Sequence, residues 1–231
     1  MRFALIPVKE LPRAKARLAP LLDDGGRREL VVALFRDVLE AAIACPALDG
    51  VAAVTRDAGV LAMAAEAGTE ALPEPGATTG SGPGLNEALT TAARAMAERG
   101  VDRIIVLAAD LPLVTPGDIA AVARSDADVV IVPSLDGGTN ALALTPNAID
   151  FGFGPQSEQR HLDAAEAAGL STQRLDLPAL ALDIDTPDDL ERLWAAVEEG
   201  RPAGRHTLEA LERLGLIAAA DPAVKPPVRG G

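Results

Sequence analysis

The chain has 231 residues, enough to bury a core as one large α/β domain or two small ones without disulfides or a structural metal. Lys and Arg total 21 against 34 Asp and Glu, a formal net charge of −13, which argues against nucleic acid as a bulk partner because phosphate backbones are held by basic surfaces. With one Trp, four Phe and no Tyr, stacking platforms for single-stranded bases are not expected either. The lone cysteine, Cys45, cannot form an internal disulfide and sits in an apolar helical pattern, as a buried bystander would. Phe3-Ala4-Leu5-Ile6 is too short for a signal sequence, and no stretch approaches the roughly 18 apolar residues of a membrane span. The expectation is a soluble, cytoplasmic protein.

In chain order, Arg2 to Val8 reads as a buried strand leading into a turn-rich basic segment through Pro20. Arg28 to Ala44 has helical periodicity, with Leu30, Leu34, Val38 and Ala41 on one face. A strand over Val51 to Thr55, a helix over Val60 to Ala67 and a strand over Thr69 to Leu72 follow. The Gly-rich residues 76–84 then open into a helix from Leu85 to Glu98. Arg103 to Ala108 is a continuous apolar run, the pattern of a strand buried on both faces. Thr115-Pro116 starts the next helix, with Thr as cap and Pro in the first turn.

Val129 to Pro133 and Asn140 to Thr145 read as strands on either side of Asp136-Gly137-Gly138, a turn signal. Ser157 to Ala168 is helical with Ser157 as its cap, Thr172 to Leu177 and Leu180 to Ile184 read as strands, and Thr186-Pro187 caps a helix running to Glu198. Residues 1–200 are expected to form one domain. Residues 201–231 form a C-terminal extension with a short helix around Leu208 to Leu216 and a mobile Pro/Gly-rich tail. Strand–helix alternation predicts an α/β, Rossmann-like fold, a mostly parallel sheet with helices on both faces and ligands at the carboxyl ends of its strands.

Three elements carry candidate chemistry. Arg2, Lys9, Arg13, Lys15 and Arg17 oppose a single acid, Glu10, in residues 1–17. This basic cluster follows the first strand, where doubly wound proteins bind phosphate. It is not a P-loop, and Gly80-Ser81-Gly82-Pro83-Gly84 misses the dinucleotide spacing. Its glycines would still let a nucleotide approach the backbone beside a helix N-terminus. Asp110 ends the most apolar strand, and Asp183 and Asp185 sit two apart, so both face one way if extended. Carboxylates there suit Mg²⁺, which leaves sites open for water and phosphates. No Gly-x-Ser-x-Gly elbow and no metal-spaced His or Cys cluster occurs; His161, four after Ser157, neighbours an anion there or packs in the core.

These residues resemble a known family. Ile6-Pro7-Val8-Lys9 with Ala14-Lys15-Ala16-Arg17-Leu18-Ala19-Pro20 looks like the opening of the 2-phospho-L-lactate guanylyltransferase family, which includes phosphoenolpyruvate guanylyltransferases. Gly84-Leu85-Asn86-Glu87-Ala88-Leu89, Ala109-Asp110-Leu111-Pro112 and Asp136-Gly137-Gly138-Thr139-Asn140-Ala141-Leu142 are similar to its internal motifs. Phe153-Gly154-Pro155-Gln156-Ser157 with His161, and Asp183-Ile184-Asp185-Thr186-Pro187, complete the likeness over residues 3 to about 190.

The resemblance implies a single nucleotidyltransferase domain that joins GMP from GTP to a phosphorylated three-carbon acid, with Mg²⁺, in biosynthesis of coenzyme F-420. Carried over by position, Asp110 and Asp185 hold the metal, with Asp183 the alternative to Asp185, and Lys15 and Asp110 are catalytic. Thr139, Gly154 and Ser157 bind the acid, with Arg160 as a nearby cation. Pro7, Lys9, Lys15, Gly84 and Asn86 line the nucleotide site, with Arg17 close by. Neither nucleic acid nor membrane is an expected partner, and a homodimer is left open. The rivals are another Mg²⁺-dependent nucleotidyltransferase (molybdopterin cytidylyltransferase-like or sugar-phosphate) and a catalytically silent nucleotide-binding regulator. The first typically opens with a Gly-rich loop after strand one, absent here.

Overall fold

A computed structural model of the chain describes residues 1–8, 15–73 and 84–217. Lys9 and Arg13, residues 74–83 with all of the Gly-rich stretch but Gly84, and the tail from 218 lie outside the described residues. Strands β1 (Arg2–Pro7), β2 (Gly50–Thr55), β3 (Glu70–Pro73), β4 (Arg103–Leu107), β5 (Val129–Pro133), β6 (Thr139–Leu144) and β7 (Thr172–Arg174) alternate with helices α1 (Asp24–Ile43), α2 (Ala58–Glu66), α3 (Leu85–Glu98), α4 (Pro116–Arg124), α5 (Ser157–Ala167), α6 (Pro178–Ala181), α7 (Pro187–Glu198) and α8 (Arg205–Arg213).

Among the described residues seven strands form one sheet in the order β3-β2-β1-β4-β6-β5-β7. Every pairing is parallel except the two made by β6, which runs antiparallel to β4 and β5. The period of two along each strand sorts the core. Ala4, Ile6, Ile105 and Leu107 pack on one face, and Phe3, Leu5, Ile104 and Val106 on the other, so both sides of the central strands are covered as a continuous apolar run demands. A third cluster, with Leu30, Leu34, Leu182, Ile184, Leu193 and Leu211, joins α1 to the C-terminal helices.

Three local expectations are corrected. Helix α1 starts at Asp24, four residues before Arg28, because Asp23 accepts a hydrogen bond from the Gly26 amide and caps it across Gly25-Gly26. Leu180 to Ile184 is not a strand. Pro178 opens a single helical turn instead, and the Asn140 side-chain amide donates to the Leu180 carbonyl at 2.9 Å. Ser157 is the first residue of α5, not its cap. Gln156, in the left-handed region at φ 56°, holds the cap position, and the Ser157 hydroxyl is committed elsewhere.

Helix α8 packs on α1 through a buried acid. Asp37, 6 % exposed, accepts from the amides of His206 (3.0 Å) and Thr207 (2.7 Å) and from the Thr207 hydroxyl (2.6 Å), which satisfies two of the orphan backbone donors at the start of α8.

Candidate active site

The antiparallel strand β6 determines what meets at the sheet edge. In a parallel sheet the ligand-binding edge is made by carboxyl ends of strands. Because β6 runs the other way, with Leu107 of β4 paired to Ala141, it brings its amino end, Thr139 and Asn140, to that same edge. Just beyond, the Ala108 amide donates to the Asn140 carbonyl at 2.8 Å, and Asp110 follows three residues after the end of β4.

Asp110, Asp183 and Asp185 converge there, with one carboxylate oxygen of each within 4.8 Å of the others. The Ile184 amide donates to the Asp110 carbonyl at 3.2 Å, which ties the 182–186 segment to the end of β4. The burial of Leu182 and Ile184 turns Asp183 and Asp185 outward together, as an extended backbone requires. The Asn140 amide donates to Asp183 Oδ1 at 3.0 Å. Thr186 and Asp189 form a capping box at the start of α7, which fixes the exit of the segment.

Lys15 closes the cluster. Its side chain is 6 % exposed, its ammonium donates to Asp110 and, at 2.7 Å, to Asp185, and its backbone is in the left-handed region at φ 57°. Such a conformation in a non-glycine residue is unfavourable and is kept where surrounding contacts demand it. Burial by itself would lower the lysine pKa, but the charges of Asp110 and Asp185 and their hydrogen bonds outweigh it and raise it above its ordinary value. The Asp183 pKa is raised as well, but by burial first and then by the Asp110 charge, which push it up to about 6 against the pull of the Asn140 hydrogen bond.

On the other face of β6, one residue back, lies a neutral polar cluster. Thr139 and Ser157 are buried, and the Ser157 hydroxyl donates to Thr139 Oγ1 at 3.1 Å. His161, fully buried, faces Thr139 Oγ1 through Nδ1 at 3.1 Å and accepts from the Gly152 amide through Nε2 at 3.0 Å. Burial, with the Arg160 charge next, pushes its pKa down to about 4, so it is neutral at pH 7. Arg160 places Nε and Nη2 on the Gly152 carbonyl at 2.9 and 2.7 Å. Gly154 adopts φ 127°, a conformation that only glycine enters readily, and its carbonyl accepts from the Ser157 amide at 3.1 Å.

The structure thus joins Lys15, Asp110 and Asp185, and separately Thr139, Ser157 and Gly154. Asn86 spends its amide on the Phe153 backbone, donating to the carbonyl (3.2 Å) and accepting from the amide (2.8 Å); this ties the start of α3 to the loop carrying Gly154. Pro7 ends β1, Gly84 is the exposed N-cap position of α3, and Arg17 is exposed in the 3-10 turn after Lys15. Asn140, the link between the two clusters, was legible only as one letter of a motif.

Among the described residues two groups of acids and histidines could collect a cation. Asp37 with Glu40 and His206 is the less suited, because three donors already occupy Asp37. Asp110, Asp183 and Asp185 suit a hard cation: all donors are carboxylate oxygens, partly open, with Lys15 supplying the positive charge between two of them.

A mixed, mostly parallel seven-stranded sheet with helices is a nucleotidyltransferase-type fold. A nucleotidyl transferase from Methanothermobacter thermautotrophicus has the same fold at 18% identity, with a TM-score of 0.64 over 87% of this chain and 99% of that one. The family model described as guanylyl transferase CofC like matches residues 1–222, and the chain belongs to that family. A phosphoenolpyruvate guanylyltransferase from Sphaerobacter thermophilus is 41% identical over 195 residues, 83% of this chain and 91% of the relative. A 2-phospho-L-lactate guanylyltransferase from M. thermautotrophicus is 35% identical over 213 residues, covering 91% of this chain and 90% of the relative. The protein is a guanylyltransferase enzyme. Among the described residues, no helix is long and apolar enough to cross a membrane.

Proposed function

We propose that the enzyme transfers GMP from GTP to the phosphate of a small three-carbon acid, phosphoenolpyruvate or 2-phospho-L-lactate, and releases pyrophosphate, as a step in coenzyme F-420 biosynthesis. The observation that carries this reading is the sequence of β6. Consecutive residues Thr139 and Asn140 put a neutral hydroxyl pair on one side of the strand and an acidic, lysine-bridged cluster on the other. A neutral donor set suits an anionic acceptor, and the charged cluster suits a triphosphate.

The nucleophile is a phosphate oxygen, largely ionised at neutral pH because the second phosphate pKa is about 6. It attacks the α-phosphorus of GTP; that P–O bond forms as the α–β anhydride bond breaks, and pyrophosphate departs with the electron pair. No proton has to be removed, in keeping with a neutral His161 whose two ring nitrogens are both engaged. The barrier lies in bringing two anions together and stabilising the departing one. Lys15, permanently protonated at neutral pH, neutralises phosphate charge. Thr139, Ser157 and the Gly154 backbone orient the acceptor, and Pro7, Lys9, Gly84 and Asn86 border the nucleotide. Asp110 and Asp185 would hold Mg²⁺, with Asp183 braced beside them by Asn140; the ion supplies charge neutralisation on the transferring phosphates. One chain suffices for every residue named, and a homodimer is compatible with that.

The test is a donor-by-acceptor matrix of pyrophosphate release, with GTP, ATP, CTP and UTP each offered phosphoenolpyruvate, 2-phospho-L-lactate, 3-phosphoglycerate and glucose 1-phosphate. Turnover is expected with GTP and a three-carbon acid. Best turnover with CTP or with the sugar phosphate would replace the reading by a cytidylyl- or sugar-phosphate nucleotidyltransferase, and no turnover with any pair by a silent nucleotide-binding protein.

A further inference from the structure

The buried cluster on β6 can be followed proton by proton. The Gly152 amide donates to His161 Nε2 at 3.0 Å, and a ring nitrogen that accepts a hydrogen bond carries no hydrogen. The single proton of the neutral imidazole is therefore on Nδ1, where it points at Thr139 Oγ1, 3.1 Å away. Thr139 Oγ1 also accepts the Ser157 hydroxyl at 3.1 Å. A hydroxyl oxygen has two lone pairs and one hydrogen, so both acceptor positions of Thr139 are filled and its own proton is unspent. Reversing the hydroxyl–hydroxyl bond moves that proton to Ser157 but leaves the count unchanged: the pair has one O–H left, and it can only be given to an outside acceptor.

The surroundings hold the ring in this state. His161 is fully buried, Phe153 meets its ring edge-on with centroids 4.8 Å apart, and Arg160 fixes the Gly152 peptide by two bonds to its carbonyl. The peptide that Arg160 grips by its oxygen is preceded by the amide that sets the imidazole, and the two interactions fix residue 152 from both of its backbone polar groups.

We propose that His161 is a positioning residue for acceptor binding: with its proton held on Nδ1 by the Gly152 amide, it makes the Thr139–Ser157 hydroxyl pair an obligate donor to an anionic oxygen of the acceptor substrate. This rests on the reading of Thr139 and Ser157 as the acceptor cradle. Its chemical content is polarity. A histidine protonated on Nε2 would present a lone pair to Thr139, draw in the hydroxyl proton and turn the Thr139 oxygen lone pairs toward the phosphate.

The first test needs no variant of the site. Imidazole ¹⁵N spectra of the full chain contain only two histidines, and His206→Gln assigns them. His161 is expected with its proton on Nδ1 at neutral pH; a proton on Nε2, or on both nitrogens, overturns the proposal. The second test is kinetic. His161→Phe, which keeps a ring and removes the donor, should raise the acceptor KM by about 2- to 12-fold, the worth of one hydrogen bond, with the GTP KM unchanged. His161→Asn, whose amide N–H can occupy the Nδ1 position, should recover most of the loss, and His161→Gln should not. With Thr139→Val as background, His161→Phe should add nothing. If Thr139→Val itself leaves the acceptor KM unaltered, the cradle reading falls. If Thr139→Val raises it while His161→Phe does not, or the two effects simply add, the cradle stands and the role of His161 is refuted.

Discussion

Replacing Lys15 by Met keeps the length and most of the volume of the side chain and removes only the ammonium. Its 6 % exposed side chain bridges Asp110 and Asp185, whose side chains are 26 % and 48 % exposed. Taking one partner from a buried ion pair costs about 3–5 kcal/mol. Here water can reach Asp185 and part of Asp110, so the share from Asp185 is small and the expected loss is about 2–3 kcal/mol. In a domain of this size that lowers Tm by roughly 4–12 °C. The raised lysine pKa fixes the sign: its stabilisation is complete below the unfolded value of 10.5 and is lost only as pH rises through the folded value, so the full deficit is expected at pH 7. Mg²⁺ should then stabilise Lys15→Met more than wild type, because the ammonium no longer contends for the same oxygens; at 100 times its Kd a ligand adds about 2.7 kcal/mol. Urea denaturation of both proteins, chelated and with saturating Mg²⁺, reads both effects. Equal stability without the cation would refute the idea that Lys15 neutralises the cluster. Equal gain from Mg²⁺ would refute shared oxygens.

Asp110→Ala should lower kcat at least about 10²-fold at saturating substrates, and a folded variant with near-normal turnover would remove Asp110 from the site. His161 has its pKa lowered from 6.5 to about 4, so its neutral, buried form contributes stability above pH 6.5 that is lost as pH falls toward 4, on the order of 3 kcal/mol in full. Asp183, raised from 3.8 to about 6, has the opposite sign, contributing below its unfolded value and losing that as pH rises through 6. Urea midpoints should therefore fall more steeply on acidification in Asp183→Asn than in Asp183→Asn/His161→Asn, and parallel profiles would refute the burial of a neutral imidazole. Gly204→Ala would drive a methyl group into the Asp37 carboxylate that starts α8. A thermal melt should show a loss of about 1–3 kcal/mol, and an unchanged melt would mean that α8 is not anchored there.

Much of this protein is legible in its sequence, because much of it is local physics. Continuous apolar runs such as 103–108 fall on strands, Thr115-Pro116 and Thr186-Pro187 start helices through their own caps, and Asp110 follows β4 by three residues, where an acid at the sheet edge belongs. The parity of Asp183 and Asp185 follows from an extended backbone alone. What the tertiary structure decided is whatever depends on a partner far along the chain. Residues 180–184 alternate like a strand, yet Leu180 closes a helical turn and gives its carbonyl to Asn140, 40 positions away. Ser157 reads as a helix cap, but Thr139, 18 positions away, draws its hydroxyl. The direction of β6 settles which of its ends reaches the site, and the direction follows from pairing with β4 and β5, not from any residue within it. His161 has no legible role by itself. Its tautomer is set by one amide of a loop and its consequence by one hydroxyl of a strand, and hydrogen bonds between groups that only folding brings together leave no periodic or compositional trace in the chain.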